Sequence, residues 1–206
     1  NMPGEKPKTN GLQQTNKPTL RIVEGGFVQP VEQGHPQAVE RHWEVNGNKG
    51  TAYEIPWESW SGKIVDISFR DSEFGKTCSV ELEDAVIYLK TKSKYFRSLA
   101  ERVKSCDLSK EIYFRPYDFE SDDGKRLTGI SVQQGGEKKQ SYYFDYDKRE
   151  TVNGMPQPEE DKKGEEGYWA YYFAQVSSFL VKELEGLEFA KPKEVTIEDL
   201  DEMFED

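Results

Sequence analysis

Residues 62–90 read GKIVDISFRDSEFGKTCSVELEDAVIYLK, and the rhythm of this stretch decides the fold class. From Gly62 to Arg70, Val65, Ile67 and Phe69 alternate with Asp66, Ser68 and Arg70, the period of a half-buried strand. Asp71 to Lys76 is turn chemistry around Gly75, after which Thr77 to Glu83 alternates again with Cys78, Val80 and Leu82 inward. Asp84 and Ala85 lead into a third strand, Val86 to Lys90. The period then changes. In SKYFRSLAERVK (93–104), Phe96, Leu99, Ala100 and Val103 recur at helical spacing behind Ser93, an N-cap residue. Lys110 to Phe119 returns to alternation, with Ile112 and Phe114 on one face and Tyr113, Arg115 and Tyr117 on the other. Asp122-Asp123-Gly124 interrupts it, and Leu127 to Gln134 forms a fifth strand.

On the N-terminal side of this core, residues 1–18 are Pro, Gly, Lys, Asn and Gln with one Leu, a flexible lead-in. Leu20–Val28, Ala38–Val45 and Gly50–Trp57 are short β-prone runs separated by turn residues, and Asn46-Gly47 suits a tight hairpin. They predict a β extension within a unit spanning 19–150. A further strand is expected at Gln140 to Tyr146. Residues 151–167 are a polar linker that does not pack, and 168–185 a helix with Trp169, Tyr172, Phe173, Val176, Phe179, Leu180 and Leu184 on one face. That face implies packing against the chain's own core or a homodimer seam. Residues 186–206 close the chain as an acidic tail. The expected fold is therefore mainly β: an OB-fold-like five-stranded barrel in the order β-β-β-α-β-β, with an N-terminal β extension and a C-terminal helix.

The formal net charge is −11, but residues 194–206 alone hold seven acidic groups and no basic one. The remaining body is almost balanced and can carry a basic face. Two cysteines, Cys78 and Cys106, and two histidines, His35 and His42, leave no zinc cluster and little histidine chemistry. No GxxxxGK[ST], GxSxG or HExxH motif occurs, and Glu81, Glu83 and Lys90 make only a chance nuclease-like spacing. No enzyme activity, metal or cofactor is expected. No apolar run is long enough for a membrane span and no leader pattern opens the sequence, so a cytoplasmic protein is expected, in the host's cytoplasm if viral.

The strand order, together with the tail EVTIEDLDEMFED (194–206) and the segments GKIVDISFRDSEFGK and KEIYFRPYDFESDDGKRLTGISV, resembles bacteriophage single-stranded-DNA-binding proteins. In those relatives an OB barrel is followed by a linker and an acidic tail carrying an aromatic residue, here Phe204 followed by Glu205 and Asp206. The resemblance implies DNA binding in replication, recombination and repair, without strong sequence preference, and recruitment of replication or recombination proteins through residues 194–206. Ile197, Leu200, Met203 and Phe204 are the candidate partner-binding residues.

Single strands are held by cations on phosphates and by aromatic faces under bases, each stack contributing roughly 1 to 3 kcal/mol. The residues of those types on the polar strand faces and in the two loops are Arg70, Phe74, Lys76, Tyr88, Lys90, Tyr113, Arg115, Tyr117, Lys125 and Arg126. Trp57 and Trp60 read as packed residues at the barrel entry. The alternative reading is a viral protein-interaction or assembly module that binds no nucleic acid.

Overall fold

The computed structural model describes residues 16–189. β1 (Thr19–Val23) and β2 (Gly26–Pro30) form a short hairpin, and β3 (Val39–Val45) and β4 (Asn48–Trp57) a longer one. The long hairpin turns on Asn46 and Gly47, with φ of 51° and 78°. Left-handed backbone at both central positions gives the turn whose twist matches paired strands, and Asn-Gly adopts it at little cost. The run Leu20–Val28 is divided between two strands because Glu24 and Gly25, at φ of 48° and 80°, reverse the chain within it.

The β-β-β-α-β-β order follows, its first strand split at Lys63 into β5 (Trp60–Gly62) and β6 (Ile64–Ser72). Next come β7 (Gly75–Leu82), β8 (Val86–Lys90), α1 (Lys94–Val103), β9 (Ile112–Glu120) and β10 (Arg126–Gln134). Cys78, Val80 and Leu82 are fully buried, as are Phe96, Leu99, Ala100 and Val103 of α1, whose N-terminus Ser93 caps by accepting from the Phe96 amide at 3.1 Å. One inward assignment differs. The β6–β7 ladder slips between Ile64 and Asp66, so Ile64 points into the core and Val65, expected there, is half-buried.

The strands divide between two main sheets. One has seven strands in the order β3-β4-β2-β1-β8-β7-β6; the other has four, with β11 (Glu137–Lys138), in the order β11-β10-β9-β5. No closed barrel forms among the described residues, and the edges show why. β1 takes the edge of β8, pairing parallel with Thr19 opposite Val86 and Leu20 opposite Ile87. The edge of β10 beyond β9 is covered by β11 and α1, where Ser98 Oγ accepts from the Ile130 amide at 2.9 Å and donates to its carbonyl at 3.1 Å. The inner faces of both sheets meet in one apolar core, with Val80 and Ile87 from the first sheet and Phe114 and Val132 from the second.

The N-terminal strands are thus part of the main sheet rather than an appendage, and Leu20 and Phe27 are fully buried. Residues 17 and 18, expected to belong to a flexible lead-in, are held to the sheet. Lys17 Nζ lies 2.6 Å from Glu81 Oε1 and donates to the Leu82 carbonyl at 2.9 Å, while the Pro18 carbonyl accepts from Val86. At the hairpin tip the Gly25 amide donates to Tyr95 Oη, and a Cβ there would sit 2.7 Å from the Asp118 amide nitrogen of β9. A side chain at Gly25 meets both a left-handed backbone and a wall of backbone atoms. Gly25→Ala is expected to cost about 2 to 3 kcal/mol in urea unfolding, and a cost below about 0.5 kcal/mol would show that the tip does not bear on β9.

The strand expected at 140–146 is reduced to β12 (Phe144–Asp145), paired with β13 (Glu150–Thr151). Tyr143 beside it is fully buried and donates its hydroxyl to Glu183 at 3.1 Å; burial, and then that carboxylate, push the phenol well above its ordinary range. Residues 151–167 pack, against expectation. Met155 is buried, the Pro156 carbonyl accepts from Tyr172 Oη at 2.9 Å, and Tyr168 Oη accepts from the Glu159 amide at 2.6 Å. These contacts lay the segment along α2 (Tyr168–Glu185), which buries Tyr172, Val176, Leu180 and Leu184 in the chain's own core. The homodimer seam considered for that face is therefore occupied, although Trp169, Tyr171 and Phe173 remain exposed. Among the described residues no helix is long and apolar enough to cross a membrane.

Candidate nucleic-acid interface

The outer face of the seven-stranded sheet is built by strand alternation. Cys78, Val80, Ile87 and Leu89 point inward, so Thr77, Ser79, Tyr88 and Lys90 point outward. Register then sets rows across three strands. Arg70, Thr77 and Lys90 form one row, Ser68, Ser79 and Tyr88 the next, and Asp66, Glu81 and Val86 a third. With strands ~4.8 Å apart, Arg70 and Lys90 stand ~10 Å from each other at one end of the face. The acidic row lies at the other end, where Glu81 is paired with Lys17.

Arg70 and Lys90 are exposed and have no ion-pair partner among the described residues. Tyr88 is 38% exposed beside them. Phe74 projects from the β6–β7 turn at 80% exposure, the most exposed large apolar residue in the described chain. That turn is held by Ser72 Oγ, which accepts from the Phe74 amide at 3.2 Å and donates to the Gly75 carbonyl at 2.9 Å. Lys76 is less available, its Nζ 3.6 Å from Asp71. Two further cations complete the face and were not singled out from sequence. Arg21, exposed, follows Leu20, where the ladder to β8 ends opposite Ile87, and so takes the outward side of β1, and the exposed Lys92 has its side chain near Gly75. Arg21 sat in a strand read as an extension; only the parallel β1–β8 pairing places it here. Lys92 carried a signal, the cations Lys90, Lys92, Lys94 and Arg97, that reads equally as a solvated helix entrance.

The remaining candidates lie elsewhere. Tyr113, Arg115 and Tyr117 do share one face, as alternation implies, but it is the outer face of the four-stranded sheet. Both sheets turn their inner faces to the common core, so this triplet does not join the Arg70–Tyr88–Lys90 face. Arg115 is bonded to Glu58 at 2.5 Å, and the Tyr117 ring leans on Gly129, where a Cβ would meet its hydroxyl. Lys125 in the β9–β10 turn is 3.6 Å from Asp123.

Arg126 stands on the other side of β10, in the row of Thr128 and Ile130. Two of its guanidinium nitrogens donate to Asp118, Nε to Oδ1 and Nη2 to Oδ2, at 2.8 Å each. The guanidinium hydrogen bond holds the Asp118 carboxyl below its usual range, and the carboxylate raises the arginine. A cation neutralised by a bidentate carboxylate has little left for a phosphate. Arg126→Ala is accordingly expected to change single-strand affinity by less than about twofold in a fluorescence titration that detects loss of an unpaired cation.

Two loops nevertheless share one end of the molecule. The Gly25 tip contacts Asp118, Tyr95 lies near both Asp118 and Arg126, and Lys94 is within electrostatic reach of Asp118. Lys90 and Lys92 lead directly into that helix start. Phe119 and Leu127, 51% and 43% exposed, add an apolar margin to the β9–β10 end.

Trp57 and Trp60 pack edge to face at 5.2 Å. Their ring nitrogens donate to Gln29 and Asp84, the role of fixed packing residues. Among the described residues no group of three or more His, Cys, Asp or Glu side chains could hold a metal ion. Ile197, Leu200, Met203 and Phe204 lie outside the described residues. Comparison with protein-family models, with curated proteins and with solved structures finds no match to this chain.

Proposed function

We propose that the protein binds single-stranded DNA without strong sequence preference across the outer face of β6, β7, β8 and β1, and recruits replication or recombination proteins through residues 194–206. The observation that carries this reading is a set of four exposed cations with no ion-pair partner among the described residues: Arg70, Lys90 and Lys92 next to Tyr88 and the Phe74 turn, and Arg21 on the outward side of the adjoining strand β1. Phosphate partners flanking two aromatic platforms are what a single strand requires. The topology supports an OB-like reading of the body. β5 and β6, separated by Lys63 alone, act as halves of one bent first strand, one half on β9 and the other on β7. β8 and the β6–β7 turn then correspond to the strand and loop with which such folds grip oligonucleotides.

The test is equilibrium binding of a single strand of about 30 nucleotides and of the matching duplex, at low and high salt, to the full chain and to a chain ending at Lys193. The expected result is a preference for the single strand, weakened by salt and strengthened by removing the acidic segment, which competes with phosphate for the cations. Equal affinity for duplex overturns the proposal, and no binding by either form overturns it in favour of the protein-interaction alternative.

A further inference from the structure

β3 is the outer edge of the seven-stranded sheet, and among the described residues it pairs with β4 alone. In a two-residue hairpin the residues flanking the turn form a hydrogen-bonded pair, and facing directions alternate from there. Counting back from the pair Val45–Asn48, the backbone groups of Val45, Trp43, Arg41 and Val39 face β4. Those of Glu44, His42 and Glu40 face away, leaving three N–H donors and three carbonyl acceptors along the edge. The strand reads Val39-Glu40-Arg41-His42-Trp43-Glu44-Val45. Read from either end about His42 it is the same, except that Arg41 and Trp43 exchange.

We propose that β3 is a dimerisation strand: two copies of the chain pair antiparallel through it, about a two-fold axis at His42, and join two seven-stranded sheets into one. In that register His42 meets its counterpart and Glu40 meets Glu44 of the other copy, and the outward groups supply six backbone hydrogen bonds without disturbing the β3–β4 ladder. On the opposite side of the strand Arg41 faces Trp43 twice, a cation beside an indole, and Val39 faces Val45 twice. Val39 and Val45, 54% and 59% exposed, are covered. Arg41 and Trp43 are already held on that side, the one by Glu54 at 2.9 and 2.7 Å, the other in the space left by the missing Cβ of Gly50.

The opposing term is charge. Glu40 against Glu44 is repulsive, offset only by Lys49 at 3.5 Å from Glu44 and His42 at 3.7 Å from Glu40, and each chain carries −11. One seven-residue strand pair is also smaller than a standard interface, so the dimer is weak and is tightened by salt. DNA binding has the opposite salt dependence, and the dimer stands or falls independently of it.

Sedimentation of the full chain under reducing conditions, from about 10 to about 500 μM, is expected to show a reversible monomer–dimer equilibrium that strengthens with salt. Glu40→Lys or Glu44→Lys sets lysine opposite glutamate twice and is expected to tighten the dimer about tenfold, whereas the two together set lysine opposite lysine and lose that gain. His42→Pro removes one outward N–H from each chain, spares the ladder to β4, and is expected to abolish the dimer. Both glutamates are exposed, so the lysine variants remain informative if the proline variant unfolds. A monomer at every concentration for the wild type and both single lysine variants, or a dimer indifferent to all the substitutions, overturns the proposal.

Discussion

Replacing Arg70 and Lys90 together by glutamate is expected to lower affinity for a single strand about 100-fold at low salt. The two side chains bracket one row of the outer face, are exposed, and have no carboxylate partner among the described residues. Each can therefore give its whole charge to a phosphate, and reversing its sign exchanges attraction for repulsion. A unit charge pair at 4 Å is worth ~4 kcal/mol near a protein surface before screening, so ~1.4 kcal/mol per site, a tenfold loss, is a modest demand. The effect should shrink as salt rises, because released counterions supply much of the affinity. The fold should be untouched, with a melting temperature within about 3 °C of wild type, since neither side chain supports a neighbour. Fluorescence titration of the double variant beside the wild type checks both statements. Unchanged affinity would remove this face from the binding site.

Phe96→Ala carries the largest expected stability effect, a loss of about 4 kcal/mol. Phe96 is fully buried on the inner side of α1 and meets Phe69 of β6 edge-on, with centroids 6.1 Å apart and planes at 87°. It fills the junction where α1 joins the two sheets, and truncating a buried phenylalanine loses both transfer energy and packing, typically 3 to 5 kcal/mol. Against a total of 5 to 15 kcal/mol for a domain this is a large fraction. Denaturant unfolding measures it directly. A loss below about 1 kcal/mol would mean that α1 is not integral to the core.

These two residue classes show what was readable from the chain. The inward set Cys78, Val80, Leu82, Phe96, Leu99, Ala100, Val103, Ile112 and Phe114 follows from period alone, since alternation and helical spacing are local consequences of burying one face. The outward position of Tyr88 and Lys90 follows from the same rule. What local pattern does not encode is pairing between distant strands. The parallel joining of β1 to β8 brings the strand that carries Arg21 onto the same sheet as Tyr88, and the separation of the sheets parts Tyr113, Arg115 and Tyr117 from Arg70 and Lys90. Arg126 looked like a loop cation because its partner, Asp118, lies across a turn and is identified only once the β9–β10 register is known. The segment 151–167 looked like a linker because its polar composition hides contacts made mainly by backbone, the Pro156 carbonyl and the Glu159 amide. Val65 and Ile64 exchanged places through a single bulge, the smallest shift that reverses a strand's faces.

The most direct test of the central claim is photo-cross-linking of a bromodeoxyuridine-substituted single strand to the full-length protein, followed by mapping of the modified peptides. Bases stacked on aromatic rings cross-link to those rings, so the readout locates the strand rather than only its affinity. Adducts are expected on Phe74 and Tyr88, in peptides of the β6–β7 turn and β8. Adducts confined to Tyr113, Tyr117 and Phe119 on the other sheet, or none under conditions that saturate binding, would contradict it.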